Sequence, residues 1–300
     1  MATPHQVILD TDIGSDVDDA LALAMLFGSP EVNLLGVTTV YGDVAVRARI
    51  ARRLARLAGH DGLTVVPGAE RPLTGQEAWW AGFEGRLYHD LGGEAFVDDG
   101  TTAAEFLTQT VKDRPGEVDV VAIGPLTNVA EAIRADQSFA QTVRRLYVMG
   151  GRFDQPEPEH NFRSDSIAAA EVFASGIPVT VVGLEITTQA RIEPDHLGEI
   201  AAAGALGRQL EAEVRQWWGF TGHQSNVPHD PLAVLAMLRS DLFTTRPAGV
   251  WIEAEGEQAG LSVAHDDPTS PTSVVSSVHL PQAVDRTVEL ITTAGHSGPS

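Results

Sequence analysis

Short runs of uninterrupted apolar residues alternate along the first 185 positions with longer runs whose apolar residues recur at helical spacing. The first kind reads as strand buried on both faces, the second as helix. VILD (7–10) is the first predicted strand, and ALALAMLFG (20–28) the helix after it, ended by Gly28. NLLGVTTV (33–40) is the second strand. VAVRARIARRLARLAG (44–59) is a helix with arginine on one face and Leu, Ile and Ala on the other. LTVVPG (63–68), VDVVAIG (118–124), RRLYVMGG (144–151) and IPVTVVGLE (177–185) continue the strand series, with helices at LTNVAEAIRA (126–135) and SIAAAEVFASG (166–176). Apolar strands separated by helices predict an α/β fold: a mostly parallel, Rossmann-like sheet flanked by helices on both faces.

After residue 190 the rhythm changes. Residues 195–220 and 231–239 read as helices, GVWIEAEGEQAGLSVAH (249–265) as a hairpin turning near Gly256, SVVSSVHL (273–280) as a strand and 281–293 as a closing helix. These are a small C-terminal hairpin and helical additions to one domain, 1–294, with a frayed tail at 295–300. No linker or internal repeat divides the chain. Residues 67–100 form a long, glycine-rich and aromatic segment, and such loops in compact α/β domains are often functional.

Composition narrows the partners. The net charge is −21 and Lys112 is the only lysine, which disfavours nucleic acid and anionic membrane. Without cysteine there is no disulfide, thiolate metal site or Cys nucleophile. The N-terminus has no signal-peptide pattern and no window has the roughly 18 apolar residues of a membrane span, so a cytoplasmic protein is expected.

The polar clusters follow the strand ends, where open parallel sheets bind ligands. The densest is DTDIGSDVDDA, with Asp10, Asp12, Asp16, Asp18 and Asp19 within ten residues. Helix capping accounts for one or two of them, not for Asp10 and Asp12. An EF-hand loop fails in detail, with Gly14, Ser15 and Leu21 at its fifth, sixth and twelfth positions. A Mg²⁺ phosphohydrolase of the haloacid dehalogenase type would use Asp10 as nucleophile and Asp12 as acid/base, but needs a lysine nearby, and Lys112 lies in a surface-like KDRPG segment. A bound cation explains why so many carboxylates are kept together.

DTDIGSDVDDA, VAIGPLTNVA (121–130), LYVMGG (146–151), EHNFRSD (159–165), VGLEITTQA (182–190) and PHDPLAV (228–234) together, and in this order, resemble the nucleoside hydrolases of the inosine-uridine preferring type. The resemblance implies Ca²⁺-dependent hydrolysis of ribonucleosides to base and ribose, a role in purine and pyrimidine salvage, and a homo-oligomer, dimer or tetramer. It implies Asp12, Asp19, Asp230 and the Ile123 carbonyl as Ca²⁺ ligands, with Asp12 also the general base and Asp10 supporting the cluster. Asp18, Glu159 and Asn161 would bind ribose hydroxyls, Met149 would line the sugar pocket, and His229 would protonate the departing base. Asp16 falls in a two-residue lengthening of the motif and takes no role.

Three positions depart from the family pattern. Asp43 stands where many relatives have Asn near the sugar and base. Phe83-Glu84-Gly85 replaces a His-Gly pair, so a second active-site histidine is missing or moved to His89. Thr188 replaces a histidine. Of Trp217 and Trp218, one is expected in the core and one at the base, with Trp218 taken as the substrate contact; Trp79, Trp80 and Tyr88 are expected in a mobile lid. The rival readings are the phosphohydrolase and a non-catalytic calcium- or ribose-binding relative.

Overall fold

A computed structural model describes residues 3–298; Pro299 and Ser300 of the expected tail lie outside them. The chain runs β1 (His5–Thr11), α1 (Asp18–Gly28), β2 (Val32–Thr39), α2 (Val44–Leu57), β3 (Val65–Pro67), α3 (Ala103–Asp113), β4 (Val118–Ala122), α4 (Thr127–Ala135), α5 (Phe139–Thr142) and β5 (Arg145–Met149). It continues through α6 (His160–Ser164), α7 (Ser166–Ala174), β6 (Val179–Val182), α8 (Leu184–Thr187), α9 (Pro194–Ala202), α10 (Gly204–Thr221) and α11 (His229–Leu238). β7 (Phe243–Ile252), β8 (Ser262–Asp266), β9 (Thr272–Val278) and α12 (Leu280–Ser297) complete it.

The strands form one sheet of nine, in the order β3-β2-β1-β4-β5-β6-β9-β7-β8. Neighbours from β3 through β9 pair in parallel, whereas β7 runs antiparallel to β9 and to β8. Alternate side chains of β1 explain why helices cover both faces. Val7 and Leu9 enter one apolar cluster, with α1, α2, α11 and α12, while Ile8 enters the other, with α3, α4 and α7. β2 lies on one side of β1 and β4 on the other, so the direction of winding reverses at β1. Such a switch point opens a crevice at the carboxyl ends of the strands.

The predicted α/β sheet is observed, with local differences. The helix expected over 195–220 is two helices. Gly204 has φ +72°, and a Cβ there would stand 2.5 Å from the Gly295 carbonyl oxygen, so the chain breaks where it meets α12. α3 was not anticipated, although Thr102 and Glu105 form a capping box before the apolar positions Ala103, Ala104, Leu107 and Val111. α12 runs to Ser297, past the expected start of the tail, because Gly295 packs on Ala203. The hairpin is no appendage: β7 begins at Phe243 and joins the main sheet through β9. No helix among the described residues is long and apolar enough to cross a membrane.

The long segment after β3 is tied down at its start. Fully buried Asp165, the N-cap of α7, accepts from Leu73 N at 2.7 Å, Thr127 Oγ1 at 2.7 Å and Ala168 N at 3.1 Å.

Candidate active site

β1 delivers its carboxylates to the switch point. Asp10 is fully buried; its Oδ1 accepts from Thr38 Oγ1 at 2.5 Å and Asn128 Nδ2 at 2.7 Å, while Oδ2 has no partner. Burial pushes its carboxyl up to about 7. The chain then turns, and Asp18 and Asp19 begin α1. The Thr11 hydroxyl donates to Asp19 Oδ1, and Asp18 Oδ2 accepts the Asp230 N–H of α11 at 3.3 Å. Asp18, Asp19 and Asp230, all buried, each offer a carboxylate oxygen within 4.8 Å of the other two. Burial first, and neighbouring carboxylates next, raise all three carboxyls well above the ordinary range. The resemblance separated Asp18 from the metal ligands; the structure groups it with Asp19 and Asp230.

These carboxylates open into a cavity of about 600 Å³. Asp12, Asp18, Asp19, Ile123, Met149, Glu159, Asn161, His229 and Asp230 all line it. Asp12 is half-buried, and a Cβ on Gly124 would stand 2.8 Å from its Oδ1. Glu159, expected at a ribose hydroxyl, caps α6: its oxygens accept from the N–H groups of Asn161 (2.8 Å), Gly151 (3.0 Å) and Phe162 (3.1 Å). Asn161 turns its amide nitrogen to the carbonyls of Ile123 (2.8 Å) and Met149 (3.2 Å), joining β4 to β5 and leaving Oδ1 for a ligand.

His229 sits 2.7 Å from the Thr187 hydroxyl through Nδ1. The Thr187 hydroxyl also donates to the Leu184 carbonyl at 3.3 Å, so one ring nitrogen of His229 is engaged on the α8 side. Burial lowers the His229 pKa to about 4. The ring lines the cavity beside Asp230, where the sequence reading places the group that protonates the departing base.

Three expected substrate contacts lie outside the cavity lining. Asp43 is exposed and caps α2, its Oδ1 accepting from Val46 N at 2.9 Å; the helix start claims the side chain. Phe83 packs instead on Phe220 and Trp217, with ring centroids 5.2 and 6.4 Å away. Trp217, not Trp218, lines the cavity, and Trp218 is half-buried against the core. Of the expected lid, only Trp79 reaches the cavity; Trp80 lies on Arg47, and Tyr88 is buried with its hydroxyl on Glu213. His89 and Thr188 are exposed and outside the lining.

Other residues emerge only in three dimensions. Arg47 is 1% exposed and donates to the carbonyls of Asp12, Ile13 (2.9 Å) and Tyr41 (2.6 Å), placing a cation behind the acidic cluster. The Asp16 lengthening lines the cavity and is tied to the long loop by Ser15 Oγ, which donates to Glu84 Oε1 at 2.8 Å. Tyr41, Trp79 and His160 also line it.

The phosphohydrolase reading does not survive this arrangement. Asp10 is sealed beneath the cavity, and Lys112 pairs with Asp136 at the surface.

A carboxylate-walled cleft at the switch point of a Rossmann-like sheet is a ligand site able to hold a hard cation. Comparison with known proteins makes the class specific. Residues 7–288 match the family model described as inosine-uridine preferring nucleoside hydrolase. Uridine nucleosidase 1 of Arabidopsis thaliana is 36% identical over 272 residues, 84% of this chain and 79% of that protein. The non-specific ribonucleoside hydrolase RihC of Escherichia coli (strain SMS-3-5 / SECEC) is 33% identical over 272 residues, 87% of this chain and 88% of that one. A purine-preferring ribonucleoside hydrolase structure from Gardnerella vaginalis superposes with a TM-score of 0.87 at 26% identity, covering 97% of this chain and 99% of that chain. The chain belongs to the inosine-uridine preferring nucleoside hydrolase family, and it is an enzyme that hydrolyses ribonucleosides.

Proposed function

We propose that this enzyme cleaves the N-glycosidic bond of ribonucleosides to free base and ribose with the help of Ca²⁺, within a single domain spanning 1–294. The observation that carries the reading is the convergence of Asp18, Asp19 and Asp230 within 4.8 Å at the switch point. The donor set fits: the groups are hard oxygens, and three buried carboxylates cannot all stay charged without a cation. Asp19 and Asp230 of that group would hold the ion together with Asp12 and the Ile123 carbonyl, which the family resemblance adds and which line the same cavity, with Asp18 beside them for a ribose hydroxyl. When bound, Ca²⁺ supplies Lewis acidity that lowers the pKa of water.

The chain's own residues do the rest. Asp12 faces the cavity and takes the proton of the attacking water. Positive charge building on the sugar is stabilised by the acidic walls. Asn161 Oδ1 orients the ribose, and Glu159 holds the turn that presents it. His229, at the cavity beside Asp230, protonates the departing base and so stabilises the charge left on its nitrogen.

Replacing Asp12 with Asn tests the assignment. Turnover should fall about 10²–10⁴-fold, the usual contribution of a general base, with the fold intact by circular dichroism. A variant with wild-type turnover contradicts it.

A further inference from the structure

His229 is not the only histidine at the cavity. His160, the residue between Glu159 and Asn161, lines it as well, on the wall formed by Tyr41 and Trp79. That wall is rigid. The Tyr41 hydroxyl accepts from Trp79 N at 2.9 Å, and the left-handed Tyr41 backbone (φ 69°) is held by Arg47 through its carbonyl. The His160 ring meets both aromatic rings nearly perpendicularly, at 86° and 6.4 Å for Tyr41 and 82° and 6.0 Å for Trp79. The ring thus has an aromatic neighbour on each of two sides. Among the described residues no hydrogen bond engages either His160 ring nitrogen, and the exposed side chain stands at the cavity lining. By contrast, His229 comes from α11, which packs on β5 and β6, and has one nitrogen committed to Thr187.

We infer that His160 is a specificity-determining residue that contacts the nucleobase with a free ring nitrogen from the Tyr41–Trp79 wall. This rests on the ribonucleoside hydrolase reading of the same site. A neutral imidazole carries one donor and one acceptor, the complement of a nucleobase edge, which also presents both. Aromatic walls with a few placed polar groups are how such pockets fix a flat ligand. The role of the second active-site histidine, which sequence comparison sought at Phe83 or His89, thus falls to a residue of the EHNFRSD segment.

Two variants separate the parts of the claim: H160F keeps a ring without nitrogens, and H160Q keeps hydrogen bonding without the ring. They are assayed with inosine, adenosine, uridine, cytidine and p-nitrophenyl ribofuranoside, whose leaving group has no ring nitrogen. In H160F, kcat/KM should fall about tenfold, the effect of one lost hydrogen bond, for at least one natural nucleoside. The order of the four bases should change, the loss on the nitrophenyl riboside should be smaller, and H160Q should recover part of it. Equal losses on all five substrates, or none, overturn the inference. Free hypoxanthine and uracil binding, followed by quenching of tryptophan fluorescence in the Ca²⁺-loaded protein, gives a readout that needs no turnover. H160F should weaken that binding, and unchanged affinity overturns the role of His160. If the wild type hydrolyses none of the five substrates, the hydrolase reading fails while base binding still decides the question for His160.

Discussion

At residue 124 a side chain would collide with the group assigned to take the proton from water. A Cβ there would stand 2.8 Å from Asp12 Oδ1 and 3.0 Å from Asp12 N. Gly124→Ala should therefore displace Asp12 and lower kcat about 10²-fold, the cost of roughly an ångström of misplacement, and steady-state kinetics at wild-type rates would refute that. Arg47 holds the same turn from behind. Arg47→Met would strip three carbonyls of a charged donor and should destabilise the protein by about 3 kcal/mol in denaturant unfolding. A change under about 1 kcal/mol would mean that those carbonyls find other partners. The two residues differ in how far the sequence exposes them. Five acids after an apolar strand are conspicuous because their repulsion demands an explanation. Arg47 looks like any arginine on the polar face of α2, and only the fold buries it under Asp12. His160 likewise carries no sequence signal of its own inside EHNFRSD, where Glu159 and Asn161 stand out.

At the element scale, the long loop after β3 and helix α10 are latched together. The Tyr88 hydroxyl donates to Glu213 Oε1, and Gln209 Nε2 reaches the same oxygen at 3.2 Å. Burial raises the Glu213 carboxyl from an ordinary 4.5 to about 7. Between those values the folded chain holds a proton that the unfolded chain has released, so stability falls as pH rises through the window and levels off above it. Relative to Glu213→Gln, the wild type should lose on the order of 2 kcal/mol of unfolding free energy between pH 5 and pH 7. Parallel pH curves for the two proteins would show that Glu213 titrates normally. Element types were mostly legible because apolar strands and periodic helices leave strong patterns. The break at Gly204 was not, because it answers to Gly295, 91 positions away on α12. The start of α3 carries a readable capping box, but its apolar positions follow directly on the polar end of the long loop and leave only a weak helical pattern.

For the whole molecule, alternation of strands and helices was enough to indicate a parallel α/β sheet, but not the order of its strands. Order depends on pairings across the chain, such as β1 with β4 and β9 with β6. That order creates the switch point and brings Asp230 of α11 to Asp18 and Asp19 of α1. The central claim is that the assembled carboxylates serve a cation-assisted hydrolysis of ribonucleosides. Ribose release from inosine, adenosine, uridine and cytidine, followed as reducing sugar with the protein as purified, after EDTA, and after Ca²⁺ is restored, tests it most directly. The account predicts release that EDTA abolishes and Ca²⁺ returns. Release unchanged by EDTA would contradict the metal-assisted chemistry, and no release from any of the four would contradict the substrate class.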